Sequence, residues 1–222
     1  MAILLISAPA VAAGDGLSDG PAVSAVHSEP GDVCENGSTS YYWTLEDRFT
    51  GNESYRVLCK PSECGGCEGG WQPVSVTMYL YWEEQNDCAL SVRAEIHEVD
   101  PAGATQGRLV AVSERKTVGP FRPAGLWAVT VAMPLDSPTI TGPCYATLSF
   151  LDTCEDLPSV VAAPGACNAS RAWNDRGDGW VDVYDQGLPG NLSVFATFEC
   201  QLTATEEPVA WSTIKTIYGN GQ

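Results

Sequence analysis

Positive charge is scarce in this chain: 11 Lys and Arg stand against 28 Asp and Glu over 222 residues, a formal charge of −17. Nucleic acid and anionic lipid are bound by clustered cations that neutralise phosphates. The densest basic group here is Arg115-Lys116, so both partners are excluded. Histidine is almost missing. Of the two, His27 precedes the folded region, so any serine or cysteine triad would have to be built on His97. A GxSxG elbow, an HExxH pair and a phosphate-cradling glycine loop are all absent. No apolar run reaches the roughly 20 residues of a membrane-spanning helix. The expectation is a protein that is not an enzyme and does not span a membrane. The remaining catalytic route is a glycoside hydrolase working with two carboxylates, and among 28 acids no pair is singled out.

What the chain does have is apolar content of 44%, 22 Gly, 15 Pro and nine Cys, the composition of one folded domain rich in turns. The apolar run Ala2–Ile6 and the small residues Ser7–Ala13 read as a secretory signal over 1–13, although no Lys or Arg precedes the run. The other reading of 1–13 is an apolar strand. Residues 14–33, mostly Gly, Asp, Ser, Pro and Ala, read as a flexible leader. The cysteines are Cys34, Cys59, Cys64, Cys67, Cys88, Cys144, Cys154, Cys167 and Cys200. At this density they point to disulfides and an exported, extracellular or cell-surface protein. A zinc site on Cys59, Cys64 and Cys67 would need a distant fourth ligand, and no His lies nearby. An odd count leaves one thiol free or shared between chains. Asn36, Asn52, Asn168 and Asn191 each head an N-x-Ser sequon and are candidate glycosylation sites.

From Cys34 onward the dominant period is two. Val74, Val76, Met78, Leu80 and Trp82 alternate with polar residues and tyrosines, as do Leu90, Val92, Ala94 and Ile96 with Ser91, Arg93, Glu95 and His97. If residues 83–87 close a hairpin, Trp82 faces Cys88, Leu80 faces Leu90, Met78 faces Val92, Val76 faces Ala94 and Val74 faces Ile96, apolar on apolar throughout. Further strand-like runs are 41–45, 55–59, 109–113, 126–133, 145–151, 180–184 and 192–200, separated by Gly, Pro, Asn and Asp. This pattern predicts an all-β, antiparallel, jelly-roll-like β-sandwich over 34–202. A short helix is expected over 203–222, where Pro208 sits in the first turn and Trp211, Ile214 and Tyr218 share a face.

Two candidate sites stand out. Counting from Asn174, oxygen ligands fall at 1, 5, 9 and 12 as Asn174, Asp178, Asp182 and Asp185, with Gly179 at 6, a calcium-loop spacing. Against it, Arg176 occupies position 3, and Trp180–Tyr184 reads as a strand. Apart from calcium no cofactor is expected. Separately, Tyr79 and Tyr81 with Arg93 and Glu95, and Trp173 with Trp180, offer flat rings beside hydrogen-bonding groups, the chemistry of a glycan platform.

The stretches Ala172-Trp173-Asn174-Asp175, Gly179-Trp180-Val181-Asp182, Gly187–Leu192 running to Phe198-Glu199-Cys200, and Ala210–Tyr218 resemble the C-terminal ends of uncharacterised secreted proteins of environmental bacteria. That resemblance covers about the last 50 residues. It implies a secreted β-rich module and carries no activity. The sequence therefore points to an extracellular non-enzymatic module. It is either a structural subunit that assembles with itself by strand addition through 1–13, or a glycan-binding sandwich, calcium-assisted or not.

Overall fold

The computed structural model describes residues 31–201, apart from 46–47, 86, 101–105, 123 and 166. The readings for 1–13, for the leader up to residue 30 and for a helix over 203–222 lie outside the described residues. The first strand, β1 (Val33–Gly37), begins where the leader was expected to end.

Among the described residues thirteen strands build two antiparallel sheets. The first contains β1, β2 (Trp43–Leu45), β4 (Trp71–Trp82), β8 (Gly125–Ala132), β10 (Ser159–Ala162) and β13 (Val194–Cys200). The second has the order β12-β11-β3-β9-β5-β6, with β7 also on β5. Its members are β3 (Ser54–Cys59), β5 (Leu90–Val99), β6 (Gln106–Val112), β7 (Lys116–Val118), β9 (Cys144–Phe150), β11 (Ala172–Asp175) and β12 (Trp180–Asp182). From β3 to β4 to β5, and again from β7 through β8, β9, β10 and β11, the chain passes repeatedly from one sheet to the other. That alternation makes the sandwich jelly-roll-like. Among the described residues the only helical turn is a single 3-10 turn at Pro61–Cys64.

The core lies between the sheets. Val76, Met78 and Leu80 of β4, Leu90, Val92, Ala94 and Ile96 of β5, and Ala146 and Leu148 of β9 are all 0% exposed. Each large apolar side chain buried in this way contributes about 1.5–3 kcal/mol.

The expected β4–β5 hairpin does not form. β4 pairs with β8, β13 and β10, whereas β5 pairs with β9, β6 and β7. β4 ends at Trp82 in one sheet and β5 begins at Leu90 in the other, and the two apolar faces meet through the core instead of lying side by side in one sheet. Alternation specifies which face turns inward and leaves the neighbour in the sheet open. At the end of β4, Phe121 stacks on Trp82 with centroids 3.8 Å apart. Val74 also departs from the expected core set. It is an extra residue in the β4–β13 ladder, where Pro73 pairs Phe198 and Ser75 pairs Thr197, so it points outward at 39% exposure.

Three disulfides pin the sandwich: Cys34–Cys64, Cys67–Cys200 and Cys88–Cys154. Cys59 and Cys144 are thiols facing each other in register across β3 and β9, both 0% exposed. Contact with the Cys59 thiol, and then burial, pushes the Cys144 thiol well above its usual range. Cys167 is a third thiol and is partly exposed.

Candidate functional site: the outer face of the second sheet

Residues two apart on a strand share a face, and the register of the second sheet lines up one such set across four strands. Trp173 on β11 sits opposite Arg56 on β3, Arg56 opposite Thr147 on β9, and Thr147 opposite Glu95 on β5. A parallel row runs Asp175, Ser54, Ser149, Arg93. Tyr145 and His97 are paired in a third row, and Trp180 stands opposite Asp175. Inward-facing neighbours such as Val57, Ala146 and Ile96 fill the core and hold this outer layer in place.

Arg56 is the centre of the layer. Only 3% of it is exposed, and its guanidinium carbon lies 4.3 Å from the Trp180 ring centroid, 4.4 Å from Tyr145 and 4.8 Å from Trp173. Tyr145 meets Trp173 edge-on at 5.2 Å. The rings present their negative faces to the cation, each contact being worth about 0.5–2 kcal/mol. Burial lowers the Arg56 pKa from its usual value, opposed by Tyr145 and Asp175, and guanidinium still holds its proton throughout the physiological range. Arg56 Nε and Nη1 have no hydrogen-bond partner, and the same holds for Arg93 Nε and Thr147 Oγ1 on the same face.

Next to the box, Arg93 Nη2 lies 2.6 Å from Glu95 Oε1, and His97 Nε2 lies 2.9 Å from Glu95 Oε2. The His97 hydrogen bond, with help from Arg93 and against the effect of burial, holds the Glu95 carboxyl below the usual carboxylate range. Ser54 Oγ donates to Ser149 Oγ at 2.8 Å. The face therefore combines three rings, two guanidiniums, a fixed carboxylate and a set of hydroxyls.

Of the six expected platform residues, Trp173, Trp180, Arg93 and Glu95 come together here. Tyr79 and Tyr81 lie on the outer face of the first sheet, on the opposite side of the sandwich, because β4 and β5 are in different sheets. There Tyr79 packs at 5.5 Å from Tyr41, itself 55% exposed, and at 5.8 Å from Phe195. Arg56 and Tyr145 were not anticipated. Arg56 alternates with Tyr55 and Val57 in a strand-like run, which is the signal that assigns it to the outer face.

Two of the four calcium-loop residues are engaged elsewhere. Asn174 is buried, and its Nδ2 donates to Glu53 Oε2 at 3.1 Å and to the Ser54 carbonyl at 3.2 Å. Asp182 accepts from Ser170 N at 2.5 Å and from Tyr184 N at 3.0 Å, while Asp178 and Asp185 are exposed. Asp175, outside the expected ligand set, caps the turn by accepting from Gly177 N and Gly179 N at 2.8 and 3.1 Å. Those glycines adopt φ of 101° and 105°, the left-handed backbone this turn requires. Arg176, at the third loop position, reaches the buried Glu53 at 3.3 Å and the Arg48 carbonyl. Among the described residues no group of three or more His, Cys, Asp or Glu is arranged to hold a metal ion.

The sequons differ in access. Asn36 is 3% exposed, its Nδ2 donating to the Lys60 carbonyl at 3.0 Å and its Oδ1 accepting from Lys60 N at 2.9 Å, so its amide is committed to the fold. Asn52 and Asn168 are exposed, and the half-buried Asn191 accepts from Asn168 N at 2.9 Å. Asn168 and Asn191 flank a cleft of about 420 Å³ that also includes Lys60, Glu63 and Arg171. Arg171 Nη2 lies 3.0 Å from Glu63 Oε2, and its hydrogen bond holds the Glu63 carboxyl below the usual range.

No family model and no curated protein matches the sequence. Among solved structures, the chain is similar to the cysteine protease and lectin-like domains of a surface layer associated protein of Clostridium difficile, at 9% identity and a TM-score of 0.43. The similarity covers 68% of this chain and 32% of that one, so the chain spans about a third of the length of the structure it matches.

Proposed function

We propose that the protein is an extracellular, non-enzymatic glycan-binding β-sandwich whose binding surface is the outer face of the second sheet. One observation carries this: rings and polar side chains are concentrated on one face, with Arg56 fixing Trp173, Trp180 and Tyr145 in place beside the partly exposed Arg93 and its partner Glu95. A pyranose ring offers an apolar flat side for stacking and hydroxyls for the Arg93–Glu95 pair, and both are needed for orientation as well as affinity. The carboxylates of the face are already committed, Glu95 to Arg93 and His97 and Asp182 to two backbone amides, an arrangement suited to holding a ligand and not to transferring protons. Three disulfides favour an oxidising compartment.

The test is a glycan array, with and without chelator, on the native protein and two variants. Trp180→Ala is expected to weaken binding at least about tenfold, the loss of a stacking ring, while Tyr81→Ala on the far side leaves it unchanged. An array on which the native protein retains nothing would remove the proposal. So would a loss confined to Tyr81→Ala.

A further inference from the structure

The two disulfides nearest the ends of the domain form a covalent short cut through it. The described chain enters the sandwich at β1, where Cys34 is bonded to Cys64. Two glycines, Gly65 and Gly66, separate Cys64 from Cys67, and Cys67 is bonded to Cys200, the last residue of β13. Entry and exit are adjacent. β1 pairs with β13 from Val33–Glu199 to Gly37–Phe195, Gly31 N donates to the Cys200 carbonyl and Cys200 N to the Asp32 carbonyl, each at 2.9 Å. Everything else hangs from the short cut as two closed loops. The smaller, Cys34 to Cys64, contains β2 and β3, and the larger, Cys67 to Cys200, contains β4 through β13 and the third disulfide.

We propose that the domain is a tension-bearing link, in which a pull applied between its two ends travels through Cys34–Cys64, Gly65-Gly66 and Cys67–Cys200 and bypasses the sandwich. The inference rests on disulfide topology alone and stands apart from the glycan reading. Hydrogen bonds between β1 and β13 would otherwise be the first to carry the load, and strand pairs pulled from one end open a bond at a time. With both bridges closed, separating the ends stops once the short cut is taut. The two sheets, and with them the outer face built on Arg56, stay packed while the molecule is under load.

Single-molecule pulling on the full chain, with handles at its two termini, tests this directly. A residue released from the fold adds at most about 3.3–3.6 Å of length. The oxidised protein is expected to show no step of domain size. A thiol reductant added under load should then release both loops. Cys34→Ser with Cys64→Ser frees only the smaller loop, sequence separation 30, for a step of about 100 Å. Cys67→Ser with Cys200→Ser frees the larger, separation 133, of which the 66 residues spanned by Cys88–Cys154 stay closed off, for a step of about 230 Å. A domain-sized step in wild-type protein that has not been reduced would overturn the proposal, because it would mean that the two ends are not joined through these bridges. Should either double variant fail to fold, the comparison of oxidised and reduced wild-type protein decides the matter without it.

Discussion

Glu95 is the residue whose chemistry gives the most direct pH prediction. Its carboxyl is held below the usual range, first by the His97 hydrogen bond and then by Arg93. A depressed folded-state pKa stabilises the protein fully above the unfolded value, near about 4.3 for Glu, and that stabilisation is lost as pH falls through the lower folded value. Glu95→Gln should therefore cost about 1–2 kcal/mol at neutral pH. The gap to wild type should close in strongly acidic solution, read by urea melts across that range; a gap independent of pH would show that the carboxylate is not the stabilising species. Much of this face was legible beforehand. Arg93 and Glu95 alternate with Val92, Ala94 and Ile96, which assigns them outward without any structure. Asn174 was the misleading residue. Its spacing suits a metal ligand, yet burial against Glu53 makes it part of the scaffold, and nothing in the spacing foretold the partner, 121 positions away.

At the level of the element, strand runs were legible where they exceeded about five residues with a clean alternation, as in β3, β4, β5, β8, β9 and β13. Four strands, β1, β7, β10 and β11, carry no such signature. Ser159–Ala162 is four residues long and buried throughout, so it has no alternation to detect. Ala172–Asp175 directs Asn174 inward, which reverses the polarity expected of a core position. β9 should be the most sensitive strand, since all seven of its residues are buried and it lies between β3 and β5. Leu148→Ala, at a position 0% exposed, is expected to cost about 2–5 kcal/mol. Chemical denaturation checks this, and a cost below about 1 kcal/mol would mean that the site collapses around the smaller side chain.

For the molecule as a whole, alternation foretold two layers with a buried interior, and it could not assign strands to layers. β4 and β5 show why: their apolar faces match equally well side by side or across the core. Only the nonlocal pairs, such as β1 with β13 or β3 with β9, separate the two arrangements, and such contacts have no signature in a local window. Cysteine pairing was open for the same reason. In the folded protein a thiol reagent should label Cys167, which is partly exposed, and spare Cys59 and Cys144, which are not exposed at all. Labelling of all three without denaturant would mean that the second sheet opens readily between β3 and β9. The Cys59 and Cys144 sulfurs face each other behind two closed sheets, out of reach of glutathione, oxidases and exchange partners alike. A pair shielded in this way meets a solution thiol or oxidant only when the sheet parts between β3 and β9, so the rate at which it exchanges is a clock for that opening.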